Sequence, residues 1–359
     1  MPRLAVTGHA AITAVGGGVA AAAAIRAGIS RPAPVPANHS DPEELDDAPL
    51  TGYPLVGVAD GFEGPGLVVT LGSQALRDLV RVARPPSPAD AFFTSSALYV
   101  GMSPCRSEDA DFMTEVLRDQ VPGRIARAAG VQTAPQSTFG IMDGHASVAV
   151  ALADAQLAIE QRRFVRALVV GVDSLAKRTD LAWLSAKHRL KNPDNPAGLE
   201  PGEGAGAILV EAEDEARRRG AKVLAWLESV KIAQEPETRA EGKRGTGRGL
   251  AEAIRGALGS RKTVGTVFAD LNGEDARAFE WGTAVARLAR THDLPASPEA
   301  IATSIGDTGA ASGAIQLVCA TQALVRGYAR GDACLVCSSA DSGKVGAALL
   351  VAAGAEERR

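Results

Sequence analysis

Apolar positions along the chain alternate between short continuous runs and longer stretches with helical spacing, the rhythm of strands alternating with helices. Residues 3–15 read as a strand entering a Gly-rich turn, with an Ala-rich helix after it that runs to Arg26 and stops at Gly28. Residues 30–66, rich in Pro, Gly, Asp and Glu, read as an irregular excursion with one short strand near 54–58. A helix is expected over 72–82, a strand over 91–101, and helices near 109–118 and 123–129. The densest pattern lies over 137–173. There a β-prone run (137–141) meets the polar turn Met142-Asp143-Gly144-His145, then a helix over 146–162 without Gly or Pro, then an apolar run (167–172) ending in Gly171-Val172-Asp173. That helix has few polar positions before Glu160, so it should be buried between layers, and its N-terminus would favour an anion or a thiolate at the turn.

Beyond it, the loop RLKNPDNPAGLEP (189–201) leads to Gly202-Glu203-Gly204-Ala205-Gly206 and an apolar strand. Next come a helix from Glu211 to Gly220, a strand over 222–232, a charged loop over 234–246 and a helix over 249–258. A strand over 263–271, a helix over 276–291, a strand over 301–304, a helix over 311–326 and strands over 333–338 and 346–352 complete the series. The order strand–helix–strand–helix occurs twice, each time closing with paired strands. This is the pattern of two similar α/β halves with helices buried between sheets.

Composition narrows the function. A net charge of −4 and a pI near 5.8 argue against nucleic acid and anionic membranes as partners, and 4% aromatic residues leave little with which to stack bases. No apolar run is long enough for a membrane span, and no basic segment precedes the Ala-rich stretch as in a signal peptide. The scattered cysteines Cys105, Cys319, Cys334 and Cys337 argue against disulfides and for a cytoplasmic setting. Cys334 and Cys337 have C-x-x-C spacing but lie in a strand-like run without a second ligand pair, so they read as buried small hydrophobes and not as a metal site. The Gly-rich turn near residue 16 lacks the Gly-Lys-Ser/Thr of a phosphate loop, and no cofactor is expected.

The turn–buried helix–Gly171-Val172-Asp173 unit, the identical five residues Gly202-Glu203-Gly204-Ala205-Gly206 and the opening Val6-Thr7-Gly8 resemble the β-ketoacyl synthases, condensing enzymes of the thiolase superfamily. The resemblance covers nearly the whole chain. It implies the five-layer αβαβα fold built from two similar halves, here 1–214 and 215–359, forming one compact unit. It also implies that residues 137–141 pair across a two-fold axis. In that family a cysteine at the turn carries the acyl group, and two histidines polarise the reacting carbonyls. The cysteine's place falls on His145, giving His-Ala-Ser for Cys-x-Ser, or on Gly144 after a one-residue slip. Asn272 takes the place of the first histidine and Asp307 that of the second, while Ala302 replaces the lysine ahead of it. The gate loop becomes Ala340-Asp341-Ser342-Gly343, with its aromatic lost at Asp341.

The scaffold glycines persist while each chemical position has changed. An ionised Asp307 would repel the anion that a malonyl condensation develops. Two readings follow. One is a non-catalytic homologue, like a chain-length factor that pairs with an active ketosynthase, or a scaffold subunit. The other is an acyltransferase or hydrolase with a reassigned His145/Asn272/Asp307 site and with Asp143, Gly144, Ala302 and Asp341 around the substrate. There, Asp307 or Asp143 would orient the imidazole as a base. Cys105 is a poor replacement nucleophile, since it lies off any helix N-terminus. The resemblance implies an acyl carrier protein or acyl-CoA as partner, and a homodimer or a heterodimer with an active ketosynthase.

Overall fold

Strand β1 (Leu4–Thr13) is buried at all ten positions because it is the seam of the main sheet. The structure, a computed structural model, describes residues 3–41, 46–86, 89–106 and 110–354. Among these, β1 is followed by β2 (Gly16–Gly17), β3 (Ala33–Asp41), β4 (Asp46–Gly52), β5 (Ser96–Gly101), β6 (Thr138–Ile141), β7 (Arg166–Ser174) and β8 (Glu203–Ala212). The series ends with β9 (Ala225–Gln234), β10 (Thr266–Ala269), β11 (Ala333–Ser339) and β12 (Lys344–Ala352).

β1 pairs antiparallel with β8 along its length and with β9 only over Leu4–Val6. Two arms extend from this seam, in the order β1–β8–β7–β5–β6 and β9–β12–β11–β10. Each arm has two antiparallel pairings and then a parallel one. Where the first arm adds β6, the second has a single parallel bridge, Phe268 to Glu299. Helices Gly64–Ala83 and Ala110–Ala129 cover the outer face of the first arm, burying Leu67, Leu71 and Leu76 against Leu98 and Leu168. Helices Arg248–Leu258 and Asp275–Leu288 cover the second, with Ile254 and Trp281 packed near Leu335 and Leu349. Between the arms lie helices Ser147–Glu160 and Ala311–Val325. The second of these has no charged residue and is buried from Ala311 to Leu324, as a helix sandwiched by the two arms of the sheet must be.

A row of glycines seats the two central helices. Gly101, Gly171 and Gly206 are cross-strand partners on β5, β7 and β8. A Cβ at Gly101 would lie 2.8 Å from Ser147 Cβ, and Cβ atoms at Gly171 and Gly206 would lie 3.1 and 2.7 Å from Ala314 Cβ.

Several elements differ from the expectations. Residues 30–66 hold the antiparallel hairpin β3–β4, and the strand expected over 54–58 is a turn. Its prolines read as breakers, but a two-stranded ribbon has outer edges where a missing N–H costs nothing. The strand expected over 91–101 starts only at Ser96, behind the short helix Ala89–Thr94, because an apolar run of this length does not distinguish the two states. Helix Gly64–Ala83 starts eight residues before the expected 72, with Pro65 in its first turn. The two helices expected near 109–118 and 123–129 are one, Ala110–Ala129, although Asp109 lies outside the described residues. Pro122 sits inside it, and the Arg118 carbonyl that Pro122 cannot satisfy faces Gly140 of β6. The strand expected over 301–304 is a short helix, Ala302–Ile305, and helix Arg178–Ala186 was not anticipated.

Candidate functional site

The polar turn after β6 becomes a single 3₁₀ turn, Gly144–Ala146, leading into helix Ser147–Glu160. Gly144 has φ +54, a left-handed conformation that favours glycine. The Ser147 hydroxyl donates to the Met102 carbonyl and accepts from the Asp143 N–H, fixing the turn against the loop after β5. His145 is thereby held at the floor of a cavity of about 280 Å³. Met142, Leu175, Trp183 and Leu184 form apolar parts of its wall, and Ser103, Arg106, Asp143, Arg189, Asp307 and Asp341 form polar ones.

Asp307 reaches this floor because its backbone is stitched to the Gly-rich stretch ahead of β8. Gly202 N–H donates to the Asp307 carbonyl at 2.8 Å, and Asp307 N–H donates to the Glu200 carbonyl at 2.8 Å. The approach requires glycine: a Cβ at Gly202 would lie 2.3 Å from the Ile305 carbonyl. Asn272 follows β10, and Glu274 and Arg277 open the helix Asp275–Leu288.

The three residues assigned from the sequence meet. His145 Nε2 lies 2.7 Å from Asp307 Oδ1, and Asn272 Nδ2 donates to Asp307 Oδ2 at 2.6 Å. On the other side of the ring, Arg277 Nη2 is 3.1 Å from His145 Nδ1. A guanidinium only donates, so Nδ1 accepts and Nε2 carries the proton that it gives to Asp307. Both ring nitrogens are thus committed to protein groups. Asp307 also accepts from Gly309 N–H at 2.8 Å, and Asn272 spends its remaining groups on Glu274. Burial alone would push the Asp307 carboxyl up, but His145, Arg277 and Asn272 together hold it well below the usual carboxylate range.

Residues that the sequence did not single out complete the network. Arg189 grips Glu274 with Nε and Nη2, both at 2.9 Å, and donates from Nη1 to Asp341 at 2.6 Å. Arg239 makes a second bidentate pair with Glu274. Arg277 Nη1 donates to Asp270 at 3.1 Å and to the Ser339 carbonyl at 2.7 Å. Burial would raise Glu274, but Arg189 and then Arg239 and Arg277 hold it below its ordinary range. Burial would likewise raise Asp341, yet Arg189 and Arg277 keep it low. A second cluster borders the cavity: Ser103 Oγ donates to Asp173, which also accepts Ala310 N–H at 3.0 Å, and Arg106 pairs with Asp180 at 2.8 Å. No local motif could have hinted at most of these contacts, because partners such as Arg189 and Asp341 or Arg106 and Asp180 are far apart in sequence.

The other assigned residues fall around this core. Asp143 lines the cavity but pairs with Lys344 Nζ at 3.4 Å, so Asp307, not Asp143, is the carboxylate that holds His145. Asp341 lines the cavity from the β11–β12 loop, whereas Ala302 opens its short helix away from the lining. Cys105 lines the cavity, half-buried. Cys334 and Cys337 sit in different core clusters, because an offset of three puts them on opposite faces of β11. Burial pushes the Cys334 thiol up to about 12 and the Cys337 thiol higher still. Among the described residues no helix is long and apolar enough to cross a membrane, and no group of His, Cys, Asp and Glu is placed to hold a metal ion.

Five layers, two repeated arms and a cavity at the N-terminus of a buried helix define the thiolase-like fold of the ketosynthases. Solved structures share it over nearly the whole chain. One is a type II polyketide acyl-carrier protein in complex with its ketosynthase bound to the hexaketide (15% identity, 98% of this chain, 99% of that chain, TM-score 0.76). Another is the ishigamide ketosynthase/chain length factor (19% identity, 98% and 100%, TM-score 0.73). A third is a β-ketoacyl synthase from Burkholderia phymatum (17% identity, 98% and 100%, TM-score 0.73). No protein-family model and no curated sequence matches the chain.

Proposed function

We propose that the protein is a non-catalytic ketosynthase homologue, a chain-length-factor-like or scaffold subunit that acts in the cytoplasm beside an active ketosynthase. The observation that carries this reading is the state of His145. Where a condensing enzyme needs a nucleophile, this chain has an imidazole whose two nitrogens are taken up by Arg277 and Asp307. A base must present a lone pair to its substrate, and this ring has none to spare. The ionised Asp307, where a polarising donor is required, opposes the developing oxyanion. Support for a partner comes from the fold's relatives, which include a ketosynthase/chain length factor and an acyl-carrier-protein complex. The half-buried strand β6 at the sheet's edge would pair with its counterpart in that partner.

The purified chain, offered acyl-carrier-protein and coenzyme A thioesters, is expected to show neither covalent acylation nor thioester turnover. Turnover that disappears in His145→Ala would establish the other reading, an acyltransferase or hydrolase working through His145, Asn272 and Asp307.

A further inference from the structure

The charges around the cavity do not balance. Asp143, Asp307 and Asp341 line it against Arg106 and Arg189, and the partners of these groups stand behind the wall. Arg106 faces Asp173 at 3.6 Å and Asp180 at 2.8 Å. Arg189 pairs with Asp341 at 2.6 Å and meets Arg239 at Glu274. Arg277 pairs with Asp270 at 3.1 Å, and Lys344 stands 3.4 Å from Asp143. His145, which accepts from Arg277 and donates to Asp307, is neutral. Among the described residues, these ion pairs therefore join seven carboxylates to five cations and leave two negative charges over.

Hydrogen bonding points the same way. In a site for an anion, the donors at the floor would face the ligand; here they are turned on the chain's own acceptors. His145 Nε2–H, Asn272 Nδ2–H and Gly309 N–H go to Asp307, and Ala310 N–H and the Ser103 hydroxyl go to Asp173. Gly144 N–H goes to the Met102 carbonyl and Asp143 N–H to Ser147. What stays open to the cavity is carboxylate. The Asp341 and Asp143 side chains are 33% and 24% exposed, against 15% for Arg106 and 9% for Arg189. Asp341 spends Oδ2 on Arg189 and keeps Oδ1 3.7 Å from Arg277, while Asp143 has only the 3.4 Å contact of Oδ1 with Lys344 among its ion pairs. An ionised carboxylate has about four acceptor sites, so both retain capacity. The rest of the wall includes Met142, Leu175, Trp183 and Leu184, which are apolar.

We infer that the cavity binds a small organic cation, a primary ammonium on an apolar body, with Asp143 and Asp341 as its counter-charges. The ammonium supplies positive charge that the surroundings lack, and its three N–H donors meet acceptors. Its body covers the apolar wall, in a cavity of about 280 Å³. That is just below the roughly 300–1,000 Å³ of drug-sized sites. A carboxylate or phosphate of the same size would meet like charge and spent donors. Cation binding needs neither a partner nor turnover, so it stands apart from the role proposed above.

Isothermal titration of the full chain with phenethylammonium, phenethyl alcohol and hydrocinnamate tests the sign of the charge, since the three share one apolar body. Phenethylammonium is expected to bind at least about tenfold tighter than either of the others, because hydrogen bonds to a charged group are the stronger ones. Asp341→Asn and Asp143→Asn are each expected to weaken it about tenfold without weakening hydrocinnamate. Bound phenethylammonium is also expected to slow alkylation by iodoacetamide of Cys105, which lines the cavity. Equal or tighter binding of hydrocinnamate, ammonium binding unchanged in every Asn variant that folds, or no binding of phenethylammonium at about 1 mM overturns the proposal. If Asp341→Asn does not fold, Asp143→Asn decides, because Asp143 contacts Lys344 and lies outside the Arg189–Glu274 pairs.

Discussion

His145 is held by a cation on one nitrogen and an anion on the other, and this arrangement can be probed residue by residue. Asp307 is fully buried and accepts from His145, Asn272 and the Gly309 N–H, so Asp307→Ala strands these donors and should cost about 1–3 kcal/mol of stability for each one left unsatisfied. Asp307→Asn separates charge from shape. The Asp307 carboxyl is depressed in the folded state, so its contribution is present above the unfolded carboxylate range, about 4, and is lost as pH falls. Denaturant titrations should show Asp307→Asn weakest relative to the unmutated chain at pH 7, with the gap narrowing towards pH 3; a constant gap would mean that Asp307 is not stabilised as an anion. His145→Cys should make a thiol that iodoacetamide modifies faster than Cys105, since Arg277 and the helix N-terminus favour the thiolate there. Cys319 and Cys334, pushed up to about 12, will not compete. On the function proposed above, carbon–carbon bond formation from a malonyl thioester should still fail, because Asp307 would oppose the developing oxyanion, and even one missing oxyanion donor typically costs about 10²–10³ in rate. His145, Asn272 and Asp307 could be named from sequence because family motifs surround them. Arg277 and Arg189 could not, because nothing in a single sequence says which of many arginines folds back 132 or 152 residues to meet its partner.

Among elements, helix Ala311–Val325 packs closely on β7 and β8, where Gly171 and Gly206 face Ala314 and Gly171 also faces the Ala310 carbonyl. Adding one methyl to either glycine must move the helix or the sheet. Gly171→Ala and Gly206→Ala are each expected to lose about 1–3 kcal/mol, read from urea midpoints at unchanged slope. The pair shares Ala314, so the double variant should lose less than the sum of the two. Gly206 was legible in Gly202-Glu203-Gly204-Ala205-Gly206, and the long buried helices were legible from their lack of charge. Gly101, the third member of the row, carried no local signal, since its role arises only when β5 comes to lie beside β7. The hairpin β3–β4, the helix through Pro122 and the short helix Ala302–Ile305 escaped for a related reason. Proline and short apolar runs report local preference, and in each case tertiary context overrode it.

For the molecule as a whole, the first arm ends in an edge that asks for a partner. β6 has β5 on one side and no strand on the other among the described residues, and its four positions are only half-buried. Phe139 stacks on Tyr99 at 4.9 Å and meets Phe164 edge-on, while Leu157 of the adjacent central helix stays 49% exposed. A groove of about 580 Å³, lined by Tyr99, Phe139 and Leu157 with Arg118, Asp154 and Arg163, runs along the strand. The other arm does not share the problem, because β10 is capped by the bridge from Phe268 to Glu299. Backbone pairing across a two-fold axis at β6 would satisfy the edge, cover Leu157 and join the sheets of two subunits, which makes a stable dimer the expected state. Gly140→Lys on β6 should break it, because any Cβ there would lie 2.3 Å from the Arg118 carbonyl and shift the edge strand. Phe139→Asp tests the same surface without touching that contact. Light scattering at micromolar concentration should give a dimer mass for the unmutated chain, or a heterodimer mass when a partner ketosynthase is co-expressed, and a reduced mass for both variants. A monodisperse monomer in the unmutated chain alone, together with no capture of a ketosynthase, would leave β6 without the role assigned to it.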